Sequence, residues 1–298
     1  MPQSSSIPHG GRQNALLIAT IVRRSPDSLP FASREENASY GHLAMLCAER
    51  GIDLHVTHFE NLSGSARAFA WAWRWGSWKL VDLPLAELSL CYADLPQNYA
   101  AADAFRQALE AHPITLVNAL PMSDLLTDKL ATYRQFAAHV PLTWSADTPD
   151  LVDRLRAVQP HPDLSVDTLI LKPRFGERGR GIHITDLESL ASHPAGRYRD
   201  TIVQAFLETS SGIPELGIRE RHDLRLILRD GEIVLAFARK PAESSDVRKC
   251  SQGGRELPLA VADLPWRVTR FAAEIDARLS RFGPRLYSLD LGVGRSGK

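Results

Sequence analysis

The stretch that most constrains the fold runs from Leu169 to Ile184 and reads LILKPRFGERGRGIHI. Its short apolar run ends at Lys172, a loop with three glycines and three arginines follows, and apolar residues then alternate with polar ones. This alternation predicts a second strand, which places the glycines at the tip of a β-hairpin. A P-loop would lead into a helix instead, so the hairpin prediction separates this stretch from a P-loop.

Backbone and side chains of this loop both suit an anion. Glycine permits positive φ, and without a Cβ the backbone N–H groups can turn toward a phosphate. Arginine side chains add fixed positive charge to the same short segment. The residues concerned are Gly176, Gly179 and Gly181, with Arg174, Arg178 and Arg180. The loop is therefore predicted to hold phosphate.

Composition and charge exclude several classes of protein. The 298 residues contain 35 basic and 35 acidic side chains, so no basic excess indicates a nucleic-acid or membrane surface. Cys47, Cys91 and Cys250 lie far apart without CxxC spacing, which fits a reducing compartment and argues against a zinc site. No apolar run approaches the ~20 residues of a membrane-spanning helix. Residues 1–13 are polar and lack the core of a signal peptide, so we expect a disordered lead and a cytoplasmic protein.

The first half of the chain begins with a strand, a helix and a strand. Leu16 to Val22 is an apolar run rich in β-branched residues, which is typical of a buried strand. Ile52 to Phe59 has the alternation of a second strand. A helix is predicted between them, from Glu35 to Arg50, and its packed face contains Tyr40, Leu43, Ala44, Leu46 and Cys47. This order predicts a small parallel sheet.

A tryptophan-rich segment follows from Ala68 to Leu83. Aromatic residues alternate there with small ones, at Phe69, Trp71, Trp73 and Trp75. The period of two predicts a β-hairpin with one aromatic face, and Gly76-Ser77 predicts its turn. Such a face either packs on the domain core or serves as a substrate platform. We favour packing, because aromatic stripes usually belong to the core.

Hydrophobic periodicity predicts the remaining elements. Strands are expected at Leu88–Tyr92, Ile114–Val117, Thr201–Leu207, Leu224–Leu228, Ile233–Phe237 and Leu286–Val293. Helices are expected at Tyr99–Ala111, Leu125–His139, Asp147–Val158 and Leu264–Phe282. The last helix has an apolar stripe formed by Trp266, Val268, Phe271, Ile275 and Leu279. Asp230-Gly231 predicts a tight hairpin turn.

The order of motifs in the second half resembles the ATP-grasp superfamily, in the branch that contains glutathione synthetase and the ribosomal-protein glutamate ligases. Asp128-Lys129, followed by a helix and then by Pro141-Leu142-Thr143, is similar to the first ATP-binding lysine of that family. Lys172 with the glycine loop is similar to its second lysine and mobile phosphate loop. Val203–Leu207 resembles the hinge strand whose backbone reads adenine. The D-x-R, A-R and R-x-N…GG elements have counterparts at His222–Arg225, Ala238–Lys240, and Asp246–Arg248 with Gly253-Gly254.

This resemblance implies an α/β (α+β) ATP-grasp fold, with the nucleotide held between two α+β subdomains after a small parallel-sheet N-terminal domain. The implied domains are residues 14–120 before the ATP-grasp region, 121–206 as the lid subdomain with the phosphate loop, and 207–298 as the C-terminal subdomain. The Trp-rich hairpin and Leu90-Cys91-Tyr92 have a weaker resemblance to endospore-coat-associated ATP-grasp proteins.

The resemblance also implies an ATP-dependent carboxylate–amine ligase that works through an acyl phosphate, with Mg²⁺ as its metal. Its partners would be carboxylate and amine substrates, either small molecules or peptides, and self-association into a homo-oligomer stays open. The implied catalytic residues are Arg225, Arg239 and Arg248, since arginine pairs bidentately with planar oxygens, and the implied metal ligand is Asp290. The implied cofactor-binding residues are Lys129, Lys172, Gly176, Gly179, Arg180, Gly181, Gln204, Ala205, Phe206, Leu207 and Asp223.

Two alternatives stay open. One is a non-catalytic nucleotide-binding or scaffold protein of the same fold. The other is a P-loop NTPase that uses Gly292–Lys298, GVGRSGK, although the Ser or Thr that follows the lysine of a P-loop is missing. In the ATP-grasp family, the strand that bears the counterpart of Asp290 is followed by a strand with Glu-x-Asn. The sequence ends at Lys298, in the turn before that strand, so we expect the natural chain to continue.

Overall fold

The computed structural model describes residues 13–18, 28–63, 66–93, 100–159, 161–176, 181–192, 198–219, 221–240 and 255–294. The chain divides into two compact units, residues 1–123 and residues 124–298. Each unit contains helices and sheets, so this is a mixed α/β protein. Among the described residues, no helix is both long and apolar enough to cross a membrane.

The first unit is built on a six-stranded sheet with the strand order β4-β3-β2-β1-β5-β6. Its elements are β1 (Gln13–Ile18), α1 (Arg34–Glu49), β2 (Ile52–Ser63), β3 (Arg67–Arg74), β4 (Ser77–Pro84), β5 (Leu88–Tyr92), α2 (Ala100–Glu110) and β6 (Thr115–Val117). The predicted parallel pairing is confirmed, because β1 runs parallel to β2 and β5, and β5 to β6. The sheet as a whole is mixed rather than parallel, since β3 and β4 join it antiparallel. The predicted end of the first strand, residues 19–22, lies outside the described residues. A further helix, α3 (Leu120–Thr127), leads into the second unit.

Tryptophans of the β3–β4 hairpin pack in the core of the first unit, as predicted. Trp71 is 1% exposed, and its Nε1 donates to Ser28 O at 2.9 Å. Trp78 is 7% exposed, and its Nε1 donates to Asn37 O at 3.1 Å. The partly buried Trp73 meets the Trp78 ring edge-on, at a centroid distance of 5.3 Å. The buried indole N–H groups are thus paired, and these rings serve as core rather than as a platform.

The turn of this hairpin lies one residue earlier than predicted. Arg74 pairs with Ser77, so Trp75 and Gly76 form a two-residue turn, and both have positive φ, 50° and 77°. This conformation matches the twist of the paired strands, which is why such turns are favoured in hairpins. Trp75 is 93% exposed and does not belong to the aromatic face, so its predicted place on that face is wrong.

The predicted packed face of α1 is also partly wrong. Leu43 and Leu46 are 41% and 36% exposed, whereas Gly41 and Ala44 are buried. The Trp73 ring lies against Gly41, where a Cβ would come within 2.8 Å of it. A bulky ring that needs a glycine opposite it is a tertiary feature, which the periodicity of α1 does not contain.

The second unit contains two antiparallel sheets of four strands each. Its elements are α4 (Lys129–Gln135), β7 (Thr143–Ser145), α5 (Leu151–Arg156), β8 (Leu164–Pro173), β9 (His183–Asp186), α6 (Leu187–Ala191), β10 (Thr201–Leu207), β11 (Asp223–Arg229), β12 (Glu232–Lys240), β13 (Arg255–Leu259), α7 (Trp266–Leu279) and β14 (Leu286–Leu291). The first sheet has the order β7-β10-β8-β9, and the second has the order β13-β12-β11-β14. Side chains of β8 and β10 pack with α5 and α6 around Leu155, Leu169 and Val203.

The single helix predicted from Leu125 to His139 is wrong, because the chain forms α3 and α4 with a break at Asp128. The Asp128 carboxylate accepts hydrogen bonds from the backbone N–H groups of Leu130 and Ala131, at 3.0 and 3.2 Å. An N-cap aspartate has an extended rather than a helical backbone conformation, so the helix is interrupted at Asp128 and α4 begins after it.

The sequence pattern does not indicate several of the short elements. The helix predicted from Asp147 to Val158 is only α5, and β7, β13 and α6 have no counterpart in the predictions. Three to five residues carry too little periodicity to indicate an element. The turn predicted at Asp230-Gly231 is confirmed, with φ of 49° and 90°. Trp266 is 70% exposed, which corrects its predicted place on the apolar stripe of α7.

A buried ion pair fixes α7 to the strand after it. Arg285 donates to both carboxylate oxygens of Asp276, at 2.7 and 2.5 Å, and the Tyr287 hydroxyl donates to the same carboxylate at 2.9 Å. The bonds from Arg285 hold the pKa of Asp276 below its ordinary value. The backbone N–H of Arg285 donates to Asp230 in the β11–β12 turn at 2.9 Å. These bonds hold together α7, that turn and β14, the strand that carries Asp290.

Replacing Trp75 by Asn is expected to stabilise the protein by about 0.5–1 kcal/mol, because Asn tolerates a left-handed φ that strains a bulky residue. Little burial is lost, since Trp75 is 93% exposed. Trp78→Asn is the matched control, and the same change at a buried ring is expected to cost about 3–5 kcal/mol. Urea unfolding followed by circular dichroism measures both. A loss in Trp75→Asn comparable to that of the control would contradict the exposed turn.

Candidate functional site

The predicted glycine hairpin is present. β8 and β9 pair antiparallel, and positive φ occurs at Gly176 and Gly181, with values of 133° and 71°. A Cβ at Gly181 would come within 2.8 Å of the Pro173 side chain. Glycine is therefore required by conformation at both positions and also by space at Gly181. The middle of the loop lies outside the described residues, and it contains Arg178, Gly179 and Arg180.

Arg174, whose positive charge the sequence assigns to the glycine loop, is paired with a carboxylate. Its Nε and Nη2 donate to the two carboxylate oxygens of Asp128, at 2.8 and 2.5 Å. The Asp128 side chain is 10% exposed, and the bonds from Arg174 hold its pKa below the ordinary value. A bidentate pair fixes orientation as well as distance. Arg174 therefore belongs to the structural base of the loop.

The same pair brings Lys129 to the glycine loop. Asp128 caps α4, and Lys129 is the first residue of that helix. The backbone N–H of Lys129 donates to Arg174 O at 3.1 Å, and its Nζ donates to Gly176 O at 2.5 Å. One of the two predicted phosphate-binding lysines thus lies directly at the loop that the sequence assigns to phosphate.

The second predicted lysine, Lys172, lies on β8 beside the central strand β10. Its Nζ donates to Gln204 Oε1 at 2.7 Å and lies 3.5 Å from the Tyr133 hydroxyl, with the ring centroid of Tyr133 at 5.9 Å. Gln204 Nε2 donates to the Thr143 hydroxyl at 2.9 Å, and this hydroxyl donates to Pro141 O at 2.8 Å. A line of hydrogen bonds therefore runs from β7 across β10 to Lys172.

Backbone groups of the predicted hinge lie at one edge of β10. The Ala205 N–H donates to Leu142 O at 2.9 Å, just beyond the last pair of β10 with β7, which joins Gln204 and Thr143. Along an antiparallel strand, alternate residues direct their backbone groups to the same edge. β8 changes register between Ala205 and Phe206, whereas β10 itself continues without an inserted residue. From the alternation along β10 we expect the Leu207 backbone at the same edge as that of Ala205, past the paired part of β7.

A cation and a carboxylate border the end of the hinge. Phe206 and Leu207 continue the pairing of β10 with β8. The Arg221 guanidinium lies 5.3 Å from the centroid of the Phe206 ring, and its Nη2 lies 3.3 Å from a Glu208 carboxylate oxygen. The ring of the hinge residue Phe206 thus contacts an arginine that is itself paired with a carboxylate.

Four predicted residues meet on one face of the second sheet, with Asp223 and Arg225 on β11, Arg239 on β12 and Asp290 on β14. Arg225 donates to both carboxylate oxygens of Asp290 at 2.6 Å. Arg239 donates to Asp223 and lies 3.2 Å from Asp290. The third predicted arginine, Arg248, lies outside the described residues.

Burial and neighbouring charges shift the pKa values of this cluster in different directions. Burial, with the nearby charge of Asp290, raises the pKa of Asp223. Burial also opposes the charged form of Asp290, but the hydrogen bonds from Arg225 outweigh it and leave the pKa of Asp290 below its ordinary value. The bonds to Asp290 raise the pKa of Arg225 in turn. A further cation nearby would therefore stabilise the charged form of Asp223 more than that of Asp290, which is already stabilised by Arg225.

The two carboxylates suit a magnesium ion that arrives with a phosphate ligand. In the part of the chain that the structure describes, no group of three or more His, Cys, Asp and Glu side chains forms a metal cage. Magnesium does not need one, because it usually binds one or two carboxylates and completes its shell with water and substrate phosphates. Asp223 and Asp290 supply two carboxylates with hard oxygen atoms, which is the number that magnesium needs. Their like charges repel, and a cation between them would relieve that repulsion.

Sequence reasoning gave no role to Tyr133 and Thr143. Tyr133 follows Lys129 by one helical turn on α4, a spacing that puts the two side chains on one face and was available as a signal. Thr143 belongs to the Pro141-Leu142-Thr143 segment of the family resemblance, but no local pattern indicates its contact with Gln204. It lies 61 positions from Gln204, and only the pairing of β7 with β10 brings the two together.

No protein-family model matches the sequence, and the comparison with curated proteins finds no match. Solved structures are similar in fold. The ATP-grasp ligase PsnB with a minimal precursor has 16% identity and a TM-score of 0.59, over 96% of this chain and 88% of that one. The D-alanyl-alanine synthetase A of Vibrio cholerae has 12% identity and a TM-score of 0.60, over 97% of this chain and 87% of that one. The D-cycloserine synthetase DcsG has 16% identity and a TM-score of 0.58, over 96% of this chain and 88% of that one.

Some of these neighbours are solved with ligands. PsnB is solved with a minimal precursor, Mg and ADP, and also with the precursor peptide PsnA2 and AMPPNP. The D-alanine–D-alanine ligase of Bacillus anthracis is solved with ATP.

Replacing Asp128 by Asn is expected to destabilise the protein by about 1–3 kcal/mol near neutral pH, because the charged partner of Arg174 is lost. Asn still caps a helix, so Asp128→Ala is expected to cost about 1 kcal/mol more. The pKa of Asp128 is lowered in the folded protein, so its contribution is complete above the unfolded pKa of about 3.9 and is lost as the pH falls through the lower folded value.

Urea unfolding of wild type and both variants over a range of pH measures this contribution. The gap between wild type and Asp128→Asn should shrink below about pH 4. A gap that keeps its size in acid would show that the lost stability does not come from the charge of Asp128.

Proposed function

Because the chain has the ATP-grasp fold, we propose that it is an ATP-dependent ligase that joins a carboxylate to an amine through an acyl phosphate. One observation carries the proposal: Arg225, Arg239 and Asp290 form a charged cluster in the same compact unit as Lys129 and Lys172. Lysines alone would suit many anion sites. The arginines and aspartates add what lysines lack, because guanidinium groups can bind a substrate carboxylate and the aspartate carboxylates can bind a divalent ion. A reaction between a carboxylate and a phosphate needs both.

Lys129 and Lys172 are proposed to bind the phosphates of ATP. The triphosphate carries about four negative charges, and its transfer needs neutralisation and alignment more than covalent help from the protein. Lys129 lies at Gly176, and Gly176 and Gly181 both have positive φ, which lets backbone N–H groups turn toward an anion. In this proposal Gly179 and Arg180, in the middle of the loop, close over the γ-phosphate.

The edge of β10 is proposed to read adenine. Adenine presents an amino donor next to a ring nitrogen that accepts. The Ala205 carbonyl and the Leu207 N–H offer the complementary pair, and both point to the edge that the paired part of β7 does not reach. Phe206 lies between them in the strand. Gln204, the second residue of the predicted hinge, is instead proposed to act on Lys172, because its side chain points there.

The proposed reaction has two displacements. A carboxylate oxygen of the substrate attacks the γ-phosphorus, and ADP leaves with the bridging oxygen. The amine then attacks the acyl carbon, phosphate leaves, and the nitrogen loses a proton to give the amide. Arg225, Arg239 and Arg248 are proposed to hold the carboxylate and the charge that develops on it. A guanidinium has five N–H donors, so Arg225 and Arg239 keep donors beyond their bonds to the aspartates.

Asp290, with Asp223 beside it, is proposed to hold Mg²⁺ through carboxylate oxygens. When bound, the ion neutralises phosphate charge and orients the phosphoryl group. In this proposal residues 121–206 form the lid subdomain and residues 207–298 the C-terminal subdomain, after the domain at 14–120. The substrates are carboxylates and amines, either small molecules as for the D-alanine ligases or peptides as for PsnB.

Lys172→Met is expected to weaken binding of Mg·ATP at least about tenfold, because a cation is lost from the phosphates. Lys129→Met should act in the same direction. Lys79→Met is the matched control, since Lys79 is exposed on β4 of the first unit. Isothermal titration calorimetry measures all three. Lys298→Met tests the P-loop alternative, and a loss of binding in that variant alone would contradict the proposal.

Release of ADP should occur when purified protein receives Mg·ATP with a matching carboxylate and amine. Pairs of amino acids and peptides are the substances to screen. Arg239→Met is expected to lower turnover by about 10²–10³, because charge stabilisation is lost, with Mg·ATP affinity within about threefold of wild type. Arg229→Met, at an exposed position of β11, should match wild type. Binding of Mg·ATP without ADP release for any pair would favour the non-catalytic alternative.

A further inference from the structure

The side-chain amide of Gln204 is buried beside the proposed phosphate-binding lysine. Gln204 is 4% exposed and lies on β10, between β7 and β8. A buried amide costs free energy unless both its oxygen and its nitrogen are paired. Here the oxygen accepts from Lys172 Nζ at 2.7 Å, and the nitrogen donates to Thr143 Oγ1 at 2.9 Å.

Chemistry allows only one orientation of this amide. The ammonium of Lys172 has donors and no acceptor, so the group that faces it must be the Gln204 oxygen. The amide nitrogen then needs an acceptor on its other side, and the Thr143 hydroxyl serves if its own proton points elsewhere. That proton goes to Pro141 O at 2.8 Å, a carbonyl that only accepts. The Lys172 ammonium, which only donates, and the Pro141 carbonyl, which only accepts, therefore fix the proton positions along this line of hydrogen bonds.

The line ends on an amine that has donors to spare. Lys172 gives one N–H to Gln204 and lies 3.5 Å from the Tyr133 hydroxyl. An ammonium has three donors, so at least one remains for an anion. The acceptor that holds the amine is neutral, so it adds no negative charge to compete with a phosphate. Holding the amine in place beforehand also removes part of the ordering cost of binding.

We propose that Thr143 is a positioning residue, which directs Lys172 toward the nucleotide phosphates through the Gln204 amide. The inference rests on the proposed function, because it requires Lys172 to bind phosphate. Without the hydroxyl of Thr143, the buried amide nitrogen has lost its acceptor, and an unpaired buried donor costs free energy. That cost favours other conformations of the Gln204 side chain, in which its oxygen no longer holds Lys172 in a fixed position.

Thr143→Val tests the proposal, because valine has nearly the shape of threonine but cannot accept a hydrogen bond. We expect it to weaken Mg·ATP binding about 5–10-fold, whereas Thr143→Ser, the matched control that keeps the hydroxyl, should stay within about twofold of wild type. Calorimetric titration of the full chain measures the affinities, and thermal unfolding of each variant shows whether it is folded. Equal affinity of Thr143→Val and wild type would overturn the proposal.

A double variant separates positioning from general structure. If Thr143 acts only through the amide, Thr143→Val should change nucleotide affinity no further in a Gln204→Met background. A purely structural threonine would lower the affinity by the same factor in both backgrounds, and that result would overturn the proposal.

Gln204→Glu keeps the test decisive even if Thr143→Val does not fold. A carboxylate would pair with Lys172 more strongly than the amide and compete with phosphate, so about tenfold weaker binding is expected. Unchanged affinity in folded Gln204→Glu would overturn the proposal. Failure of the wild type to bind Mg·ATP, or wild-type affinity in Lys172→Met, would refute the proposed function itself. Loss of binding in Lys172→Met with no effect at Thr143 or Gln204 would refute the positioning role alone.

Discussion

The bidentate pair of Asp128 and Arg174 is the interaction on which the candidate site depends. One carboxylate caps α4 and also binds the arginine at the base of the glycine loop, so a helix start and a loop start are fixed by the same group. Lys129 follows directly and reaches Gly176. Because bonds between a carboxylate and a guanidinium are directional, the pair sets the angle between helix and loop as well as their separation. The lysine is thus held at the loop by groups of the protein itself.

The two sheets of the second unit hold their cations in different ways. The contacts of Lys172 in the described part of the chain are with neutral groups, Gln204 and Tyr133, which leave its charge available to an anion. Arg225 and Arg239 are instead paired with Asp290 and Asp223. Such a face is close to neutral, and it can receive a substrate carboxylate and a divalent ion together without a large uncompensated charge. This division suits a reaction in which a triphosphate meets a carboxylate.

Local signals predicted a large part of the fold and the types of residue in the site. The alternation after Lys172 predicted the glycine hairpin, and Asp230-Gly231 predicted the turn between β11 and β12, because strand period and left-handed φ depend on neighbours in sequence. Three predictions failed. The helix was expected to continue through Asp128, which instead caps α4, and Trp75 was expected on the aromatic face but lies in the turn. The packed face of α1 was partly wrong because the distant Trp73 ring lies against Gly41. In each case the deciding contact or turn register is not contained in a local pattern of hydrophobicity.

By itself, the sequence determined the strands and helices of sufficient length, the glycine-rich loop, and the supply of lysines, arginines and aspartates for a phosphate site. Only the tertiary structure decided which of these charges are already paired and which neutral group holds each lysine. Thr143 shows the reason, since it lies 61 positions from Gln204 and meets it only through the pairing of β7 with β10. The direction of a hydrogen bond depends on every donor and acceptor nearby in space, and that set is known only once the chain has folded.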